Sequence, residues 1–274
     1  LGHNHPNVTK AVKDQLELGL TAGVESELSV KVSKKVKEMV PSAEMVRFSN
    51  TGTEAVMHAI LIARGYTGKD KVVKLEGGYN GWYDPIAISE HPPLEKAGPE
   101  SAPIPVPAFG GLPKDVTKDT LVIPYNNEQV AEKVIRDNKE DVAALIMEPV
   151  AFNIGCALPK KDYLKAIREI TQRYDVPLIF DEVITGFRLA PGGAQEYYGV
   201  TPDMSVFAKA IANGFQLSAV VGRKDLMSLS TPKIGKVGYA GTYNGHQISL
   251  AASSATLDEL KNGRVQKYLH KSVA

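Results

Sequence analysis

The chain has 274 residues, with Lys+Arg 32 against Asp+Glu 31 and a formal charge of +1. That balance gives no global attraction for nucleic acid or for an anionic membrane surface, so neither is expected as a partner. The single cysteine, Cys156, excludes an internal disulfide and fits a reducing, cytoplasmic compartment.

The opening LGHNHP begins abruptly at Leu1 and shows no basic-then-apolar leader, which reads as an excerpt of a longer protein. His3 and His5 stand two apart with no third ligand nearby, so no metal site is expected. MVRFS (45–49) reads as a strand, and TEAVMHAILIARGY (53–66) as a helix, with His58 inside it as a structural residue. Between them SNTGTEA (49–55) combines small hydroxyl residues, a Gly and the free N–H groups of a helix start. That combination suits an anion cradle. The other reading is an ordinary N-cap, with Thr51 or Thr53 capping toward Glu54.

KVVKLEG (71–77) is the next strand, followed by Tyr79 in GGYNGWYD, an aromatic suited either to stacking on a flat ligand or to packing on the core. From Ile86 to Asn127 the chain is rich in Pro and Gly and reads as a long excursion, of the kind that is more often a functional loop than a spacer. VAALIMEP (142–149) is a third strand, with Glu148 at its end; its aliphatic run is too short to span a bilayer. The helix KDYLKAIREITQRYD (161–175) puts Tyr163, Leu164, Ile167, Ile170 and Tyr174 on one face. In PLIFDEVITGFR (177–188) an apolar run meets two acids, Asp181 and Glu182. An acid at the end of a buried strand is costly unless something positive meets it. The bland alternative is a cap or a surface turn. MSVFAK (204–209) ends in Lys209, suited to a depressed pKa and Schiff-base chemistry, or to reaching out to solvent. LSAVVGR (217–223) is the last strand.

Strands alternating with helices predict an α/β fold, a mostly parallel central sheet covered by helices on both faces. Ligands of such sheets sit outside the carboxyl ends of the strands. This gathers Ser49 to Thr53, Tyr79, Glu148, Asp181 and Lys209 at one edge. Neither a Walker loop nor G-x-G-x-x-G is present: ARGYTGKD has Ala63 in place of the first Gly and Asp70 after Lys69. A phosphate cradle, an acid, a lysine and an aromatic together match the needs of pyridoxal 5′-phosphate.

Read as an ordered set, LGHNHP, MVRFSNTGTEAVMHAILIARG, GGYNGWYD, LVIPYNN, MEPVAFN, LIFDEVITGFR, GAQEYYGVTPD and AGTYNGHQISLAA resemble the class III, fold type I, pyridoxal-phosphate-dependent aminotransferases. Within that class the glutamate-1-semialdehyde aminomutases and their close relatives are most similar. The resemblance implies that residues 1–274 are the cofactor-binding large domain. It implies Lys209 as the lysine that holds the cofactor and Asp181 as the partner of its ring nitrogen. Val183 would pack on the ring opposite Tyr79, and Thr51, Gly52 and Thr53 would hold the phosphate. Thr242 would reach the phosphate of a neighbouring subunit, giving a homodimer with shared sites. Glu148 and Asn153 would line the ring's hydroxyl edge. Asn80, where the family has His, would face the substrate pocket with Glu148. His246 and Gln247 also replace the family's usual Asn-Pro.

The implied activity is amino-group transfer between a small-molecule amino donor and a carbonyl acceptor, or within one molecule as in an aminomutase. The rival readings are a non-catalytic binding protein on the same fold and, with no dinucleotide turn to support it, a hydride-transfer enzyme.

Overall fold

The computed structural model describes residues 1–20 and 25–272. Seven short apolar runs pair into one sheet: β1 (Met45–Ser49), β2 (Lys71–Leu75), β3 (Thr120–Ile123), β4 (Val142–Met147), β5 (Leu178–Asp181), β6 (Met204–Phe207) and β7 (Ser218–Gly222). Their order is β1-β7-β6-β5-β4-β2-β3. All pairings from β6 through β5, β4 and β2 to β3 are parallel, and β7 runs antiparallel between β1 and β6. Strands covered on both faces have no polar side to show. Accordingly β4, β5, β6 and β7 are buried along their whole length.

Side chains alternate across the sheet, so each strand feeds two cores. On one face Val72, Ala144, Ile146, Ile179, Val206 and Val220 pack under a helix at Gly52–Thr67, through its Ala55, Val56, Ala59, Ile60, Ile62 and Ala63. On the other, Val73, Leu145, Met147 and Phe180 meet two helices, Glu128–Asp137 and Tyr163–Arg173. The second of these buries Tyr163, Leu164, Ile167 and Ile170, the face its spacing predicts, with Tyr174 packed beside them. A third cluster joins Phe48, Ala219 and Val221 to helices Glu27–Met39 and Gln247–Leu260. No helix among the described residues is long and apolar enough to cross a membrane.

Two details differ from the sequence reading. The excursion from 86 to 127 carries a strand of its own, β3, which adds to the sheet edge beside β2. Its four residues follow a Pro/Gly-rich stretch, and an edge strand that short has too few alternations to show a period. Lys209 is not on a strand. β6 stops at Phe207, and Lys209 opens a short 3-10 turn with φ +46°, a left-handed conformation that non-glycine residues seldom adopt.

Candidate active site

The helix Gly52–Thr67 starts where β1 ends, and its first turn is closed by a capping box. Thr51 Oγ1 accepts from the Glu54 N–H at 3.2 Å, and the Thr51 N–H donates to Glu54 Oε2 at 2.7 Å. Thr51 therefore serves as the N-cap, with its hydroxyl also donating to Glu54. The amides of Gly52 and Thr53 follow it in the first helical turn, where no intrahelical acceptor exists. Gly81 brings the Tyr79 turn hard against this helix start. Its φ is +101°, and a Cβ there would stand 2.6 Å from Thr53 Oγ1. The Trp82 N–H donates to the same hydroxyl at 3.2 Å.

Beyond the carboxyl ends of β4, β5 and β6 lies a cavity of about 320 Å³. Gly52, Thr53, Tyr79, Asn80, Glu148, Asn153, Asp181, Val183 and Lys209 all line it. Thr51 faces a larger, more open neighbouring hollow, which Gly52 and Lys209 also border. Thr242 lies on neither: it is exposed, in a loop whose Gly241 and Asn244 sit beside Arg47 of β1.

The two adjacent acids part company. Asp181 is the last residue of β5 and is followed by turns, not by a helix, so it is not a helix N-cap. It accepts from Asn80 Nδ2 at 2.7 Å and from the Val183 N–H at 3.1 Å. Burial pushes its pKa up to about 7 against those two hydrogen bonds, and the charge of Glu148 pushes the same way. Glu182 points elsewhere. Its carboxylate accepts from the Ala194 and Gln195 amides, Gln195 Nε2 and Thr185 Oγ1, which pins the 182–195 segment.

Glu148 is buried as well, and burial raises its pKa. It accepts from the Tyr79 N–H at 3.1 Å, the Phe152 N–H at 3.2 Å and Asn153 Nδ2 at 3.0 Å, so it joins two turns that wall the cavity. Lys209 has its pKa lowered by burial, against the pull of the Asp181 charge and with the push of Arg188. The site thus offers an enclosed carboxylate, an amine biased toward its neutral form, a half-exposed aromatic ring and a helix start. Asn80, expected against the substrate, has its amide on Asp181 and is 3 % exposed. Arg188, unnoticed in the sequence, borders the open hollow with Lys209. Its position a few residues past Asp181 was the available signal.

Comparison with known proteins bears on this geometry. The glutamate-1-semialdehyde 2,1-aminomutase of Methanocaldococcus jannaschii is 47 % identical over 260 residues, 95 % of this chain and 59 % of that protein. This chain therefore spans about three-fifths of the length of that relative. An omega-transaminase structure from Sphaerobacter thermophilus superposes with a TM-score of 0.90 at 35 % identity, covering 94 % of this chain and 59 % of the other. A structure described as a transaminase with PLP bound gives 0.86 at 33 % identity over the same shares. The family pattern described as aminotransferase class-III matches residues 1–274, and the chain belongs to that family.

Proposed function

We propose that residues 1–274 form the pyridoxal-phosphate-binding large domain of an enzyme that transfers amino groups. Asp181 carries this reading. It is an enclosed carboxylate with no bonded cation among the described residues, facing a cavity shared with an amine that burial makes less basic. A protonated ring nitrogen answers the first and an aldehyde the second. Pyridoxal 5′-phosphate has both on one flat frame, and the amides of Gly52 and Thr53 suit its phosphate.

When bound, this group supplies an aldehyde for the substrate's amine and a ring that draws electrons from the substrate Cα. Lys209 Nζ would hold the group through its aldehyde carbon, and the same amine, when free, would accept the proton from the substrate Cα. Asp181 keeps the proton on the ring nitrogen, so the ring stays electron-poor. Tyr79 and Val183 would pack on the ring, and Glu148 with Asn153 would line its hydroxyl edge, since all four border the same cavity. Thr51 acts through the helix cap, fixing the direction in which the Gly52 and Thr53 amides point.

The relatives include an aminomutase and a transaminase, and these residues would serve either chemistry. We infer an amino donor and a carbonyl acceptor of small size, which in the aminomutase version are two positions of one molecule. Visible absorbance tests the reading. The purified protein, given pyridoxal phosphate, should turn yellow and bleach with the correct amine, glutamate-1-semialdehyde being the first to offer. A protein that stays colourless overturns the cofactor; one that stays yellow with every donor is a binding protein.

We also infer a homodimer with shared sites, because Thr242 is exposed and off the cavity of its own chain. Thr242→Ala and Lys209→Ala should each lose most activity at limiting pyridoxal phosphate, and co-refolded mixtures should regain it. In the mixed dimer one site joins an intact Lys209 to the partner's intact Thr242. Mixed dimers without recovered activity would reject the shared site.

A further inference from the structure

One lysine of the sheet is unused by the chemistry above. Lys74 sits near the carboxyl end of β2, a strand paired on both sides, with Val122 and Ile146 beside it in register. It shares the face of Val72, which packs beneath the helix Gly52–Thr67. Its exposure is 0 %, so its ammonium does not reach solvent. A charge placed there is tolerated only if it is hydrogen-bonded. No carboxylate among the described residues forms an ion pair with it. Instead Nζ donates to the carbonyl of Gly78, at 2.8 Å, and to the carbonyl of Ile88. Glu90, Glu148 and Asp181 are the charges that favour its protonated form, against burial, which lowers its pKa to about 8.

Those two carbonyls are the ends of one turn. Between them lie Tyr79, whose N–H holds Glu148, Asn80, whose amide holds Asp181, and Trp82, whose N–H reaches Thr53. We propose that Lys74 is the positioning residue of this site, a buried clamp that ties both ends of the 78–88 turn. Through the turn it sets where Asn80 meets Asp181 and where the Tyr79 ring stands. The residue touches none of the reacting atoms. The proposal rests on the amino-transfer reading only for the meaning of the cavity; the clamp itself is testable without cofactor.

Trp82 is the chain's single tryptophan and is 67 % exposed, with its ring 5.0 Å from that of Phe109, so its emission reports this turn and its seat on Phe109. Lys74→Met keeps the length of the side chain and removes its donors. Expected is a folded protein whose Trp82 anisotropy falls in the cofactor-free state and whose affinity for pyridoxal phosphate drops about tenfold. Val73→Ala, on the same strand but the opposite face, controls for general loosening and should leave Trp82 unchanged at a comparable loss of Tm. A Lys74→Met protein that folds with the wild-type anisotropy and affinity overturns the clamp. If Lys74→Met does not fold, Lys74→Arg decides. A folded Lys74→Arg protein with about tenfold weaker cofactor binding supports the proposal. Unchanged affinity, or failure of both variants to fold, overturns it. A wild-type protein that binds no pyridoxal phosphate sinks the amino-transfer reading instead, and the Trp82 comparison still judges the clamp.

Discussion

Lys209→Ala is expected to fold, to bind pyridoxal phosphate weakly, and to lose amino transfer by about 10⁴-fold or more. In the reading proposed above the amine has two duties in one atom, holding the cofactor and moving the Cα proton, and alanine does neither. What remains for binding is the helix start at Gly52–Thr53 and the Asp181 carboxylate, so affinity falls but does not vanish. Borohydride reduction of the wild-type protein followed by peptide mapping should place a phosphopyridoxyl group on Lys209 alone. Lys74 is the informative competitor, since it is also buried close to Asp181 and Glu148. Its Nζ is turned toward Gly78 and Ile88, and label on its peptide would reject Lys209 as the attachment point.

Asp181→Asn should separate stability from activity. The Asp181 carboxyl, with its pKa raised from 3.8 to about 7 in the folded chain, binds its proton more tightly folded than unfolded. Its contribution to stability is therefore complete below about pH 4 and is lost as pH rises through 7. A rise of that size corresponds to a loss on the order of 4 kcal/mol across the window. An amide at 181 titrates nowhere in it, yet it faces one of the two donors, Asn80 Nδ2 or the Val183 N–H, with an N–H of its own, at a cost of about 1 kcal/mol. Cofactor-free Asp181→Asn is thus expected to be the weaker fold near pH 4 and the stronger above pH 7. Denaturant titrations of both proteins at the two pH values check this; parallel curves would show that the carboxyl does not titrate as stated. Bound pyridoxal phosphate should erase the variant's advantage, because the ring N–H supplies the missing positive charge. Catalysis moves the opposite way, falling about 10²- to 10⁴-fold, with Asp181→Glu milder because it keeps the charge.

Much of this was legible in the residues. Six of the seven strands announce themselves as short, mostly apolar runs, as strands covered on both faces do. The rule that ligands gather at carboxyl ends then collects Tyr79, Glu148, Asp181 and Lys209 with no knowledge of distances. Three things were not legible. β3 is a short edge strand behind a Pro/Gly-rich stretch. The contact between Asn80 and Asp181 joins residues 101 positions apart, and nothing local at either end hints at it. Lys74 stood in plain view inside KVVKL, but within an apolar run one lysine reads as an outward residue of an alternating strand. Only the packing over both faces of the sheet, with Val72 beneath the helix Gly52–Thr67 and Lys74 beside it at 0 % exposure, shows that it has no outside to face.

The backbone at Lys209 has a consequence for how this chain could drift or be engineered. A left-handed residue that is neither Gly nor Asn carries local strain of about 1 kcal/mol or more. Selection for thermal robustness alone would relieve it, by settling glycine or asparagine at 209. A stabilising screen run without an activity filter would therefore erode this position early and return hardier proteins with no amine. Any library built on this scaffold should hold 209 constant and look for its gains in the helices that cover the sheet.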